Sequence, residues 1–133
     1  MADRTASVTW SGSLMEGSGT IQSVGSGAFG PLDVTWASRA EDSDGRTSPE
    51  ELIAAGHALC FSMRTPADRL DTSATVTFVP GTGITKIALT VRGSVSGVDA
   101  ASFAAAAQAA KDGCPVSQAL AAVPEITLDA ALS

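Results

Sequence analysis

Tyrosine is absent from the 133 residues, and aromatic side chains of any kind make up only 5% of them. Without an aromatic series there is no platform on which single-stranded bases could stack. Basic side chains are also scarce: 8 Lys and Arg stand against 14 Asp and Glu, a net charge of −6, and they form no cluster. Such a surface does not suit a phosphate backbone, so nucleic acid is not an expected partner. Long apolar runs are missing as well. The longest, Leu52 to Met63, is broken by Gly56, His57 and Ser62 and falls short of the roughly 20 residues of a membrane span. No membrane partner is expected. The N-terminal Met-Ala-Asp-Arg lacks the apolar segment of a secretory signal, which points to the cytoplasm.

Histidine occurs once and cysteine twice, too few for a zinc site within one chain. The wide separation of Cys60 and Cys114 excludes a CxxC motif. In a reducing compartment such a pair is more often two free thiols than a structural bridge. Either both are small buried apolar residues or they are a redox pair.

What is present suffices for one domain. With 44% hydrophobic residues, a chain of this length can bury a core without disulfides or metals. Alternation at Ala6–Trp10, Gly19–Ser23 and Asp33–Ala37, punctuated by Gly/Ser stretches, predicts an antiparallel meander over residues 6–37. Ser48-Pro49-Glu50-Glu51 carries a capping serine, a proline at the first helical position and a following carboxylate. It predicts a helix over residues 49–63 that stops before Pro66. Alternation resumes at Thr72–Val79 and Ile84–Arg92 around Pro80-Gly81-Thr82-Gly83, which is a hairpin. Asp99 caps an alanine-rich helix that ends at Gly113, and a short helix follows Pro115, so that helix fills residues 100–121. A last strand covers 125–130. The class is α+β, and antiparallel sheets are expected.

The segment Ser48-Pro-Glu-Glu-Leu-Ile-Ala-Ala-Gly-His-Ala-Leu-Cys-Phe-Ser-Met63 resembles the signature helix of the OsmC/Ohr family. Gly113-Cys-Pro-Val-Ser-Gln-Ala-Leu120 resembles that family's second-cysteine motif, in a form closer to the OsmC branch. Thr85–Leu89 and Glu125–Asp129 extend the resemblance over nearly the whole chain. It implies an intertwined homodimer in which sheets wrap paired central helices. It also implies a cysteine-based peroxidase that reduces organic hydroperoxides, and hydrogen peroxide less efficiently, without metal, flavin or other cofactor. Cys60 would attack the peroxide and become a sulfenic acid, and Cys114 would condense with it to a disulfide. A dithiol, by the family's preference a dihydrolipoyl group on a partner protein, would then reset the pair.

Residue physics alone points to the opposite order. Cys114 precedes a helix N-terminus that favours a thiolate, whereas Cys60 lies mid-helix among apolar neighbours. As the attacking thiol, Cys60 therefore needs a nearby cation. The resemblance supplies an arginine held by Glu50. Arg39, expected at the end of the third strand, is the first choice and Arg46 the second. Glu50 and Cys60 are ten residues apart, about 15 Å along a helix, so Glu50 is expected to serve the site of a two-fold partner. Glu51 is expected to bond back to the Ser48 backbone.

His57, one turn before Cys60, could pair with its thiolate, although a structural histidine is the commoner case. Leu59, Phe61, Met63 and Phe29, with Leu52 and Trp36, could line an apolar substrate pocket, or could be core. After Met63 the family helix normally continues for two to three turns. This chain goes directly to Thr65-Pro-Ala-Asp-Arg-Leu70. A shortened helix that misforms the pocket would leave a non-catalytic binding or scaffold protein, which is the competing expectation.

Overall fold

The structure, a computed structural model, describes residues 1–133. The chain divides into two compact units, Met1–Pro49 and Glu50–Ser133. The first holds strands β1 (Ala6–Ser11), β2 (Ser18–Val24) and β3 (Leu32–Thr35), joined as an antiparallel sheet in the order β1-β2-β3, and a short helix α1 (Trp36–Ala40). Trp10 stands opposite Gly19 in the β1–β2 register, and a side chain at Gly19 would collide with the indole. A flat aromatic covering a cross-strand glycine compensates for the packing that the glycine lacks.

The alternation that suggests strand through Ala37 ends earlier, at Thr35. Thr35 Oγ1 accepts from the Ser38 N–H at 3.1 Å, and Ser38 Oγ accepts from the Thr35 N–H at 2.9 Å. This reciprocal capping box starts a helix where the period-two pattern suggested more sheet. Arg39 consequently lies in the last turn of α1 rather than at a strand end.

The second unit contains α2 (Pro49–Met63, from its second residue), β4 (Arg69–Val79), β5 (Gly83–Ser94), α3 (Ala100–Gly113), α4 (Pro115–Ala119) and β6 (Glu125–Leu132). The bounds of α2 are those the capping sequence predicted. β4 and β5 form the expected hairpin, extended to Arg69 and Ser94. Asp68 closes its open end by accepting from both the backbone N–H and the hydroxyl of Ser96. The final strand departs from an all-antiparallel expectation, because β6 pairs parallel with β5. Two helices lie between β5 and β6, and such a crossover returns the chain in the same direction, whereas a tight turn would reverse it.

The core of this unit is Phe61 from α2, Leu89 and Val91 from β5, and Phe103, Ala107 and Ala110 from α3. Leu70, Val95, Ile126 and Leu128 pack around it. No helix is long and apolar enough to cross a membrane.

Candidate active site

α2 and the α3–α4 junction bring the two cysteines together. Gly113 ends α3, and Cys114 serves as C-cap of α3 and N-cap of α4, with Pro115 at the first position of α4. Cys60 lies in the last turns of α2, half-buried, while Cys114 is fully buried. Both are free thiols, and their sulfurs are 3.1 Å apart. A disulfide needs about 2.05 Å between sulfurs, so the two stand close but unbonded.

The two thiols are pushed in opposite directions. Burial raises the Cys60 thiol above its ordinary value, and its bond with Cys114 raises it further; the Val116 N–H and the Arg64 charge pull it down without reversing the shift. Burial also acts to raise Cys114. There the backbone N–H of Ser117, the Cys60 thiol, the Ser117 hydroxyl and the Val116 N–H outweigh it and bring Cys114 below its ordinary value. Of the two thiols, Cys114 is therefore the more readily ionised. This is the order that helix-terminus physics gives from the residues alone.

His57 does not pair with Cys60. Its ring is fully buried, and Nε2 lies 2.6 Å from Ser117 Oγ. Burial lowers its pKa below the ordinary 6.5, and the Lys111 charge lowers it further. A depressed histidine contributes stability above pH 6.5, where both states are neutral, and loses it as pH falls and only the unfolded chain takes up the proton. Acidification from pH 7.5 to 5.5 is expected to lower the melting temperature, and His57→Gln to flatten that dependence. Calorimetry at the two pH values checks it.

Of the other expected site residues, Glu50 is buried in the first turn of α2. Arg39 is half-buried on α1, in the first unit. Arg46 is engaged with Asp44 at 3.1 Å on an exposed loop. Phe61 is fully buried in the core of the second unit. Leu59 and Met63 are instead 64% and 79% exposed on the other face of α2. Phe29, in the first unit, edges an open cavity of about 670 Å³ with Arg4, Ala6 and Val24.

Two residues at the cysteine pair are not singled out by the sequence pattern. Arg64, four residues after Cys60, lays its guanidinium against Gly113; a methyl there would sit 3.0 Å from a guanidinium nitrogen. The i,i+4 spacing is the available signal, hidden because Arg64 lies just beyond the helix end. Ser117 lies three residues after Cys114, the N-cap-to-N3 spacing of a capping pair, but the cap here is a thiol.

Fold and site together define a small α+β protein with two closely apposed free thiols. The chain belongs to the OsmC-like protein family, whose sequence model matches residues 41–129. Peroxiredoxin OsmC of Escherichia coli strain K12 is 44% identical over 133 residues, covering 90% of each chain. The organic hydroperoxide resistance protein OsmC of Legionella pneumophila superposes with a TM-score of 0.68 at 21% identity, covering 96% of each chain. The organic hydroperoxide resistance protein OhrB of Bacillus subtilis does so with a TM-score of 0.64 at 23% identity, covering 97% of this chain and 98% of its own.

Proposed function

We propose that this protein is a thiol-dependent peroxidase that reduces organic hydroperoxides through Cys60 and Cys114. The observation that carries this is the 3.1 Å approach of two free thiols from helices distant in sequence. Kinship with a peroxiredoxin at 44% identity supports the same activity. Cys60 is the more exposed thiol and takes the attacking role. It cleaves the peroxide O–O bond, releases an alcohol and keeps the second oxygen as a sulfenic acid. Cys114 then displaces that oxygen as water, leaving a disulfide. A dithiol, for which a lipoyl group on a partner protein is our candidate, restores both thiols by exchange. A reducing compartment such as the cytoplasm keeps the resting pair open.

Because burial and the bond with Cys114 raise the Cys60 thiol above its ordinary value, attack requires positive charge beyond that of Arg64. We assign it to Arg39 positioned by Glu50. Glu50 starts the helix that carries Cys60, about 15 Å away along the axis at ten residues' rise, so it serves the opposite site of a homodimer. The dimer has a matching surface: Leu52, Gly56, Leu59 and Met63 recur at heptad-like spacing along α2, with Leu59 and Met63 largely exposed. An apolar stripe of this kind suits an antiparallel copy of itself. The same stripe, once covered, supplies apolar surface for a hydroperoxide tail.

The test is titration of the reduced protein with cumene hydroperoxide, followed by intact-mass and peptide mapping. One intrachain Cys60–Cys114 disulfide per equivalent of peroxide is expected. Slow, uncoupled over-oxidation, or no reaction, would favour the non-catalytic alternative, in which the short α2 leaves the pocket misformed.

A further inference from the structure

Arg64 stands beside the cysteine pair, and the steps above give its charge no partner. We propose that Arg64 is a specificity-determining residue for the reset of the disulfide: its guanidinium, free of any carboxylate of this chain, receives the negative charge of the incoming reductant and makes the site prefer anionic thiols to neutral or cationic ones. This deepens the peroxidase reading and rests on it only for how the disulfide arises.

Two elements converge on this side chain. α2 ends at Met63, and the chain turns tightly there: the Arg64 N–H donates to the Phe61 carbonyl at 3.1 Å, the Thr65 N–H to the Ser62 carbonyl at 3.2 Å, and the Thr65 hydroxyl to the Phe61 carbonyl at 3.2 Å. These bonds satisfy carbonyls that a helix end leaves open, and they hold Arg64 one turn after Cys60 on the same side of the helix. A second contact fixes the far end of the side chain. The guanidinium lies against Gly113, the residue before Cys114: a methyl built there would sit 3.0 Å from Nη2, 3.4 Å from Nε and 3.5 Å from Cζ. Gly113 is the last residue of α3 and is not in the left-handed region, so its missing side chain serves the approach of the arginine rather than a turn. A guanidinium that starts one turn from Cys60 and ends on the neighbour of Cys114 lies alongside the sulfur pair, whose members are 3.1 Å apart.

The charge is unclaimed. Arg46, Arg69, Lys86 and Arg92 are each ion-paired with a carboxylate, whereas Arg64 is exposed and has none. Acidic residues near it in the fold's connections are engaged elsewhere: Asp68 with Ser96, Asp71 with Arg69, and Asp112, next to Gly113, with Gln108 at 3.0 Å. The net charge of −6 opposes an anion, but charges more than about 8 Å away are largely screened at physiological ionic strength, so the local cation decides. In the reset the reductant's thiolate attacks Cys60, because Cys60 is half-buried and Cys114 fully buried. A bond forms between the reductant's sulfur and Cys60, the Cys60–Cys114 bond breaks, and its electron pair leaves on Cys114. The reductant's second thiolate then attacks its own sulfur in the mixed disulfide, and Cys60 departs as thiolate. Two electrons pass to the protein, and the protons given up by the reductant's two thiols balance the two thiolates released. A dithiol flanked by carboxylates is the reductant that fits.

The experiment starts from protein oxidised to the Cys60–Cys114 disulfide with diamide. Loss of that disulfide is followed by acid quench and intact mass with three small thiols: anionic 2-mercaptoethanesulfonate, neutral 2-mercaptoethanol and cationic cysteamine, with rates compared per thiolate. The native protein is expected to react about threefold faster with the anionic thiol than with the neutral one, and about threefold slower with the cationic one, the scale of an exposed ion pair. Salt at about 1 M should erase most of this spread. Arg64→Gln should remove the preference, Arg64→Glu should reverse it, and Arg64→Lys, which keeps the charge, should retain most of it. Ratios between thiols on one variant cancel any change in fold or in access to the sulfur. Absence of the preference in the native protein, or an anionic-to-neutral ratio that survives in Arg64→Gln and Arg64→Glu, overturns the proposal. No step uses a hydroperoxide, so a protein that shows the preference yet fails to reduce cumene hydroperoxide sinks the peroxidase reading alone.

Discussion

Mixing Cys60→Ser subunits with Glu50→Ala subunits is expected to recover hydroperoxide reductase activity that neither parent homodimer shows. Cys60→Ser removes the attacking sulfur, so turnover should fall to the uncatalysed rate. On the proposed assignment, Glu50→Ala leaves the sulfur but frees the arginine that would favour its ionised form, against burial and against the Cys114 bond. If the glutamate of one subunit serves the cysteine of the other, each heterodimer has one intact site and one doubly damaged site. With free exchange at equal concentrations, half of the dimers are mixed. The mixture should then reach about a quarter of wild-type activity per subunit. Steady-state peroxide consumption, with exchange verified by native mass spectrometry, measures it. No recovery despite proven exchange would place Glu50 in its own subunit's site and remove the reason for a cross-subunit arrangement.

The largest effect on stability is expected at Phe103, where α3 meets β5. Its ring is almost fully buried with Phe61, Leu89 and Val91. Phe103→Ala should cost about 3–5 kcal/mol, from lost burial together with the cavity left behind. Against a domain stability of about 5–15 kcal/mol, that is enough to leave the variant marginal at room temperature. Gly93 makes the argument specific. A methyl group at Gly93 would meet Phe103 Cζ at 2.5 Å and Cε1 at 2.6 Å, and the backbone there needs no left-handed conformation. Glycine is required by the ring and not by the strand. Gly93→Ala alone should therefore cost about 1–3 kcal/mol as overpacking, but little in the Phe103→Ala background, where its methyl enters the vacated space. Urea denaturation of the two single variants and the double variant closes the cycle. Additive losses would mean that the two residues do not share the same space.

The elements that local chemistry controls are legible in the order of the residues. Ser48-Pro49 sets the start of α2 and the approach of Pro66 its end, and both bounds hold at Pro49 and Met63. The hairpin around Pro80–Gly83 and the Asp99 cap of α3 are readable for the same reason: turn and cap preferences act within a few residues. The motifs around Cys60 and Cys114 mark the two thiols as a pair without revealing their contact. Other features depend on partners far along the chain or on rules that compete locally. The alternation through Ala37 loses to the Thr35–Ser38 capping box. Phe61, a pocket candidate by position, is core because α3 and β5 close over it. The parallel direction of β6 follows from the crossover helices and not from its own residues.

The amino-acid sequence by itself determined the class, the helix that carries Cys60, and the identity of the two thiols, because each is written in spacing and residue type. Only the tertiary structure decided that the sulfurs stand 3.1 Å apart and that His57 turns to Ser117 rather than to the cysteine one turn away. These outcomes depend on burial and on hydrogen bonds between residues some sixty positions apart, which no local pattern contains.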